Sequence, residues 1–205
     1  MKITLTDAGK RFNRDWIFRH LNYEFVEGMT YAITGPNGSG KSTLLQIIAG
    51  AMASSEGGIH YLLEKQDLPA DALYKYISIT APYLELIEEM TVLEFLRFHQ
   101  SFKPFQTSLD TRKIISIIGL DSAAQKQIRY YSSGMKQRVK LAQAIFSDVP
   151  VVLLDEPCTN LDVDGVSLYR QLVRDYCGGR LVIVSSNDLQ EYEFCEKRID
   201  MIHYR

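Results

Sequence analysis

The segment 35–43, GPNGSGKST, restricts the fold of this chain more than any other part of its sequence. An apolar stretch at 29–34 precedes it, and residues 41–49 follow with apolar side chains at helical spacing. Glycines let such a loop curl until its N–H groups point into one concavity, which suits phosphate oxygens. The next helix adds unpaired N–H groups and its dipole. The pattern therefore predicts a strand, a phosphate-binding loop and a helix.

The loop fits G-x-x-x-x-G-K-[ST], and each polar member has a chemical use. Lys41 places a positive charge near the β- and γ-phosphates of a nucleotide, and the Ser42 hydroxyl is a ligand for Mg²⁺. The residues predicted to bind the nucleotide are Gly35, Pro36, Asn37, Gly38, Ser39, Gly40, Lys41, Ser42 and Thr43. The alternative is an ordinary glycine-rich turn, which the flanking strand and helix patterns disfavour.

A second apolar strand, at 151–157, ends in two carboxylates, Asp155 and Glu156. In a parallel α/β sheet the carboxyl ends of the strands are where ligands bind. Asp155 is therefore predicted to hold Mg²⁺, and Glu156 to direct a water molecule at the γ-phosphate. A plain strand-end turn built from Asp and Pro is the alternative. The phosphate loop in the same chain disfavours this alternative.

Short apolar strands alternate with helical patterns along the chain, which is typical of an α/β fold with a substantially parallel sheet. The segment 82–135 departs from this alternation, since it contains helical patterns and a capping box that begins at Thr91. We therefore expect a single domain over residues 1–205. Its catalytic core would comprise 1–81 and 136–205, with a helical subdomain inserted at about 82–135.

The composition excludes several other classes of protein. The net charge is -2, so no general attraction to nucleic acid or anionic lipid exists, and no nucleic-acid partner is expected. No stretch approaches the roughly 18 apolar residues of a membrane helix, and the N-terminus lacks the apolar run of a signal peptide. Three cysteines without a CxxC spacing suggest reduced thiols. The expected location is the cytoplasm, with any membrane role exerted through a partner.

Four segments of this chain resemble the ABC ATPase family, and the resemblance covers essentially the whole chain. In the order of the family they are GPNGSGKSTLL, YSSGMKQRVKLAQAI, VVLLDEPCTNLD and LVIVSSNDLQEYE. The resemblance implies a RecA-like P-loop NTPase core with a mostly parallel sheet, an N-terminal antiparallel β part and an inserted helical subdomain. It also implies ATP and Mg²⁺ as cofactors, and hydrolysis of ATP coupled to transport.

Two of these segments imply contacts with a second ATPase subunit. Residues 131–135, YSSGM, resemble the signature LSGGQ, which in the family faces the γ-phosphate bound by the other subunit. The residues that take this role are Ser132, Ser133, Gly134 and Met135, of which Ser133 and Met135 depart from the family pattern. The segment 159–162 resembles the D-loop of the dimer interface, with Asp162 as its acidic member. A homodimer is the expected form, and a heterodimer stays open.

Phe12 stands where the family places an aromatic side chain that stacks on adenine. Stacking needs only a π face, so a phenylalanine would serve. A phenylalanine of the hydrophobic core is the alternative at this position, and Trp16 and Phe18 are nearby candidates for the same contact.

Two positions depart from the family pattern near the γ-phosphate. The Q-loop glutamine falls on Pro82, or on Ala81 if the loop shifts, and neither side chain can coordinate Mg²⁺ or contact the attacking water. The switch histidine falls on Asn187, which can donate one N–H but carries no positive charge. Since the phosphate-loop lysine and serine and the acidic pair remain, we expect a working but slow ATPase whose catalytic residues are Glu156 and Asn187.

The resemblance thus implies the ATP-binding and hydrolysing subunit of an ABC transporter, held at the inner face of the cell membrane by an integral membrane subunit. Closure of the dimer around ATP would drive that partner. The alternatives are an ABC ATPase without a membrane partner, a nucleotide-binding regulator that hydrolyses weakly, and a small-molecule kinase, against which the signature and D-loop segments count. The signature variant favours export over import, and the transported substrate is not readable from the sequence.

Overall fold

The computed structural model describes residues 1–205, which form two β-sheets with helices packed around them. The strands are β1 (Lys2–Phe12), β2 (Asp15–Val26), β3 (Thr30–Thr34), β4 (Glu56–Leu63), β5 (Gln66–Asp67), β6 (Ile77–Thr80), β7 (Val151–Asp155), β8 (Leu181–Ser185) and β9 (Lys197–Asp200). The helices are α1 (Lys41–Ile48), α2 (Val92–Phe102), α3 (Thr111–Ile117), α4 (Ser133–Ile145), α5 (Val163–Tyr176) and α6 (Leu189–Tyr192). Short 3₁₀ helices lie at Ala70–Lys75, Asp121–Ala123, Ile128–Tyr130 and Met201–Tyr204.

The two sheets differ in strand direction. The first has the order β2-β1-β4-β5, and all its pairs are antiparallel. The second has the order β6-β7-β8-β3-β9, and all its pairs are parallel. This confirms the predicted α/β fold with a parallel sheet and an N-terminal antiparallel part.

The central strands of the parallel sheet divide the hydrophobic core in two. Every residue of β7 and β8 is buried, as expected of strands covered on both faces. Because side chains alternate along a strand, Val152 and Leu154 face the core formed with α2 to α5, whereas Val151 and Leu153 face the core beneath α1 and the antiparallel sheet. The carboxyl end of β7 is thus fixed from both sides.

Local signals explain where several helices begin and end. α1 ends at Ile48, two residues before Gly50, whose φ of 72° is the left-handed conformation common just after a helix. The predicted capping box at the start of α2 forms, since the Thr91 hydroxyl accepts from the Glu94 N–H and the Glu94 carboxylate accepts from the Thr91 N–H. Between β6 and α4 the chain contains only helices, turns and isolated bridges.

The first strand is longer than its apolar start suggests. The sequence predicts a strand over KITL at 2–5, whereas β1 continues to Phe12 through irregular pairing near Asp7, whose φ is 48°. Both of its edges are paired, so the polar residues beyond Leu5 still find partners for their backbone groups. No helix in the structure combines the length and apolar character needed to cross a bilayer.

Candidate nucleotide site

The loop between β3 and α1 has positive φ angles at three glycines, a backbone conformation that other residues rarely adopt. Gly35, Gly38 and Gly40 have φ values of 137°, 78° and 96°. At Gly40 the restriction is also steric, because an added Cβ would lie 2.5 Å from Cγ2 of Ile17. Ile17 of β2 therefore packs against the loop and holds it in place.

Lys41 is the first residue of α1, and its ammonium group folds back onto the loop. The side chain is buried, with 5 % of its surface exposed. Nζ donates to the carbonyl of Gly35 at 2.8 Å and to that of Pro36 at 3.4 Å. Neutral carbonyls are weaker partners for an ammonium than phosphate oxygens are. The Lys41 ammonium is thus held at the loop by bonds that a phosphate group could replace with stronger ones.

Asp155 ends β7 as a buried carboxylate that lacks a full set of partners. It is 1 % exposed, and its Oδ1 has no hydrogen-bond partner. Burial raises the pKa of Asp155, while the neighbouring hydroxyls of Ser185 and Ser42 and the charge of Lys41 act in the opposite direction. A buried acceptor without a partner is expensive, so this oxygen has the character of a ligand for a cation.

The strands on either side of β7 also end in unpartnered buried oxygens. The hydroxyls of Thr80 on β6 and Ser185 on β8 have no hydrogen-bond partner. Ser185 is paired in register with Asp155. Three adjacent strands thus present oxygen atoms at one edge of the sheet, where a bound ion or water would satisfy them.

Glu156 follows Asp155 in a strained backbone conformation. Its φ is 42°, which is unusual for a residue with a side chain, and its N–H donates to the carbonyl of Ser185 at 2.8 Å. Glu156, Lys41 and Ser42 line one cleft of about 310 Å³ beside the phosphate loop. The residues that the sequence predicted at two distant points of the chain therefore meet around a single cavity.

Asn187 follows β8 and lines a cavity together with Glu156. Its Nδ2 donates to Oδ1 of Asn37 in the phosphate loop at 3.0 Å. Both asparagines, together with Glu156 and Glu191, line a second cavity of about 480 Å³. Burial raises the pKa of Glu191, whose Oε1 accepts from the N–H of Cys158 at 2.6 Å. Glu191 thereby fastens the segment after β7 to α6.

The three aromatic candidates for adenine differ in exposure. Phe18 is fully buried and cannot stack on a ligand. Trp16 carries the guanidinium groups of Arg11 and Arg19 over its ring, at 5.5 and 4.1 Å from the centroid. Phe12 is 46 % exposed, so it is not a core residue. Its role in binding adenine stays a prediction.

The signature and D-loop segments do not line the phosphate cleft of their own chain, although Asp162 of the D-loop also lines the second cavity beside Glu156. Ser132 caps α4 by accepting from the Met135 N–H at 3.3 Å, and both lie with Ser133 and Gly134 in a separate cavity of about 390 Å³. Asp162 borders the same cavity and caps α5. This cavity and the phosphate cleft have no residue in common.

Comparison with known proteins places the chain in a family. A family model described as ABC transporter matches residues 18–159. The chain belongs to the ABC transporter family. The matched range contains the phosphate loop, the signature segment and the acidic pair, so the resemblance drawn from the motifs is confirmed.

Relatives in this family are similar over nearly the full chain. An uncharacterized ABC transporter ATP-binding protein, YybJ of Bacillus subtilis, is 27 % identical over 99 % of this chain and 94 % of its own. The cytochrome c biogenesis ATP-binding export protein CcmA of Agrobacterium fabrum is 30 % identical over 91 % of this chain and 89 % of its own.

A solved structure supports the fold. The dimeric ATP-binding cassette MJ0796, bound to ADP and Pi, superposes with a TM-score of 0.81 at 24 % identity and covers 97 % of this chain and 93 % of its own. At this identity the likeness shows that the ABC transporter fold is shared.

Some residues around the site of this ABC transporter subunit were not predicted from its sequence. Gln46 lies one helical turn beyond Ser42 on α1, and this i, i+4 spacing could have indicated it. Ile17 and Glu191 reach the site from other elements, and no local motif marks them. Pro82 and Ala81 are the positions to which the Q-loop glutamine of the family corresponds. In this chain they form part of a backbone turn.

Proposed function

We propose that this chain binds ATP with its phosphate loop and hydrolyses it as the motor subunit of an ABC transporter. The observation that carries the proposal is the cleft in which Lys41, Ser42 and Glu156 converge, directly beside the unpartnered Oδ1 of Asp155. Positive charge, a hydroxyl and two carboxylates at the end of parallel strands suit a nucleoside triphosphate with its cation.

Within this cleft each residue has a proposed role. Lys41 exchanges its bonds to the carbonyls of Gly35 and Pro36 for stronger ones to the β- and γ-phosphates. The N–H groups of residues 35–43 cradle the same oxygens. Glu156 accepts a proton from the attacking water and aligns it with the γ-phosphorus. Phe12 offers its exposed ring to adenine.

Ser42 and Asp155 are the proposed ligands of Mg²⁺. A hydroxyl and a carboxylate are the hard oxygen donors that this ion prefers, and phosphate oxygens and water would supply the remaining ligands. When bound, Mg²⁺ neutralises charge that develops on the transferred phosphoryl group. Burial of Asp155 fixes its carboxylate before the ligand arrives, which limits the reorganisation that binding requires.

The separation of the two cavities supports a dimeric enzyme. Because Ser132 to Met135 lie in a cavity that shares no residue with the phosphate cleft, we place them against the γ-phosphate of a second copy arranged head to tail. Asp162 borders the same cavity and would lie at that interface. Closure then excludes water from both sites, and loss of the γ-phosphate reopens them.

The helical part at about 82–135 is the proposed docking surface for an integral membrane subunit, which would hold the chain at the inner face of the membrane. Export is the direction we favour, because the relative CcmA is named an export protein. Turnover is expected to be slow, since Asn187 can donate a hydrogen bond but supplies no positive charge. No nucleic-acid partner is proposed for a chain with a net charge of -2.

Two variants test this function. Lys41→Ala should abolish tight ATP binding, measured by calorimetry, because no other ammonium lines the cleft. Glu156→Gln should keep ATP binding, lose turnover and accumulate as an ATP-bound dimer in gel filtration. A wild-type rate no higher than that of Glu156→Gln would overturn hydrolysis. A Glu156→Gln protein that stays monomeric at saturating ATP would overturn the head-to-tail dimer.

A further inference from the structure

Gln137 is a buried amide on α4, the helix that begins in the signature segment. It is 3 % exposed, and its Nε2 donates to the Pro157 carbonyl at 2.7 Å. Pro157 directly follows Glu156, the carboxylate proposed to direct the attacking water. Because a buried donor without a partner is unfavourable, this bond fixes α4 to the backbone one residue beyond Glu156.

Two neighbours of Gln137 contact the same segment of the chain. Gly134 and Arg138 share one face of α4 with Gln137, since the three are spaced as i, i+3 and i+4. A Cβ added at Gly134 would lie 3.1 Å from the Asn160 carbonyl oxygen. Nη2 of Arg138 lies 3.9 Å from Oδ1 of Asp162. The start of α4 therefore packs closely along the segment that follows β7.

The backbone of Glu156 depends on such contacts. Its φ of 42° is a sparsely populated conformation that persists only where the surrounding structure enforces it. The Glu156 N–H donates to the Ser185 carbonyl at 2.8 Å, and the Glu156 carbonyl accepts from the Thr159 N–H at 3.2 Å in a turn. Gln137 holds the next carbonyl, that of Pro157, within this turn. The direction of the Glu156 side chain is therefore tied to the position of α4.

From these contacts we propose that Gln137 is a positioning residue that links the Glu156 carboxylate to the signature helix, and this role rests on the ATPase function set out above. In the proposed dimer, residues 132–135 contact the γ-phosphate bound by the second copy, whereas Glu156 acts on the nucleotide of its own chain. Seating of α4 against one nucleotide therefore aligns, through Gln137 and Pro157, the base that acts on the other. Gln137 itself contacts neither the substrate nor the reacting atoms.

The test compares steady-state ATP turnover with calorimetric ATP affinity in Gln137→Met, which keeps the length of the side chain but cannot donate. The kcat should fall about tenfold, because a small misplacement of a catalytic group is costly. KM and the affinity for ATP should stay unchanged, since the phosphate loop is not altered. Gln143→Met, half-buried on the same helix, is the matched control and should keep the wild-type kcat. An unchanged kcat in Gln137→Met, or parallel losses of kcat and ATP affinity, would overturn the positioning role.

A double-mutant cycle with Glu156 tests whether the effect passes through this carboxylate. Added to Glu156→Gln, the Gln137→Met change should cause little further loss of the single-turnover rate, because both substitutions disable the same group. The double variant should still accumulate as an ATP-bound dimer in gel filtration, since the signature segment is intact. A further loss of about tenfold, or a double variant that stays monomeric where Glu156→Gln dimerises, counts against the role of Gln137. Wild-type turnover no higher than that of Glu156→Gln would instead contradict the ATPase function on which this role rests.

Discussion

The side-chain amide of Asn187 donates a hydrogen bond of 3.0 Å to the side-chain oxygen of Asn37, which joins the segment after β8 to the phosphate loop. Both side chains are exposed and border the cavity that contains Glu156. In this arrangement Asn187 lies beside the phosphate loop, and one of its two amide N–H groups is bonded to Asn37. The second N–H is the donor that remains for a γ-phosphate oxygen.

Replacement of Asn187 by alanine should slow ATP turnover about tenfold. One hydrogen bond to a charged acceptor contributes about 1.5 kcal/mol, and each 1.4 kcal/mol of barrier corresponds to a factor of about ten. Steady-state phosphate release at saturating ATP measures the effect. Gln125→Ala removes an exposed amide from the helical part and should leave the rate unchanged. Equal rates for wild type and Asn187→Ala would remove Asn187 from the catalytic residues.

The parts of the site that are readable from sequence are those whose geometry is local. The loop 35–43 and the end of β7 each contain, within a few residues, the strand, turn and polar side chains that define them. Parallel pairing then brings their ends to one edge. For this reason the convergence of Lys41 with Glu156 was predictable without a structure.

The rest of the site depends on packing between distant elements. Thr80 and Ser185 bring their hydroxyls to the sheet edge of Asp155 only because β6 and β8 pair with β7 in one register, and no motif encodes that register. Glu191 belongs to a short helix near the end of the chain, yet the fold buries it against the backbone of Cys158. The extension of β1 to Phe12 has the same origin, because its polar half is paired with β2 up to Phe12 and with β4 up to Gly9.

Gly40→Ala should distort the phosphate loop. The φ of 96° disfavours any side chain, and the new Cβ would meet Ile17 at 2.5 Å. Strain of this kind costs about 1–3 kcal/mol, so we expect lower stability in urea unfolding together with loss of ATP binding by calorimetry. Gly178→Ala is the matched control, since it has open space and an ordinary φ. Full ATP binding by Gly40→Ala would show that the loop adapts.

Stability should fall between pH 7.5 and pH 5 because of His99. Burial lowers the pKa of His99 to about 4, and its Nε2 lies 2.9 Å from the Ser147 hydroxyl. Between this value and the unfolded pKa of about 6.5 the unfolded chain binds more protons. Stability from His99 is therefore complete above about pH 6.5 and is lost as the pH falls towards 4, by about 2 kcal/mol at pH 5.

Urea unfolding of His99→Gln at both pH values isolates this contribution. The difference in unfolding free energy between pH 7.5 and pH 5 should be smaller in the variant by about 2 kcal/mol. His203→Gln changes an exposed histidine and should retain the wild-type difference. If His99→Gln kept the wild-type pH dependence, the loss of stability between pH 7.5 and pH 5 would come from other groups.

Two substitutions of Glu191 should distinguish the stability that its hydrogen bond contributes from the stability that its buried charge costs. Glu191→Ala leaves the buried N–H of Cys158 without an acceptor and should destabilise the protein by about 1–3 kcal/mol. Glu191→Gln keeps an acceptor oxygen and removes the charge. Because burial raises the pKa of Glu191, the ionised form is the unfavourable one in the folded state. The stability that this carboxyl contributes is present below its unfolded pKa and is lost as the pH rises through the folded value.

At pH 7.5 Glu191→Gln should therefore be at least as stable as the wild type, and its advantage should shrink as the pH is lowered towards 4.5. Urea unfolding at a series of pH values measures both effects, with Glu196→Gln as the exposed control. A Glu191→Gln protein as unstable as Glu191→Ala at pH 7.5 would mean that the carboxylate charge itself holds the segment after β7. In that case the ionised form is stabilised by its donors more than burial penalises it.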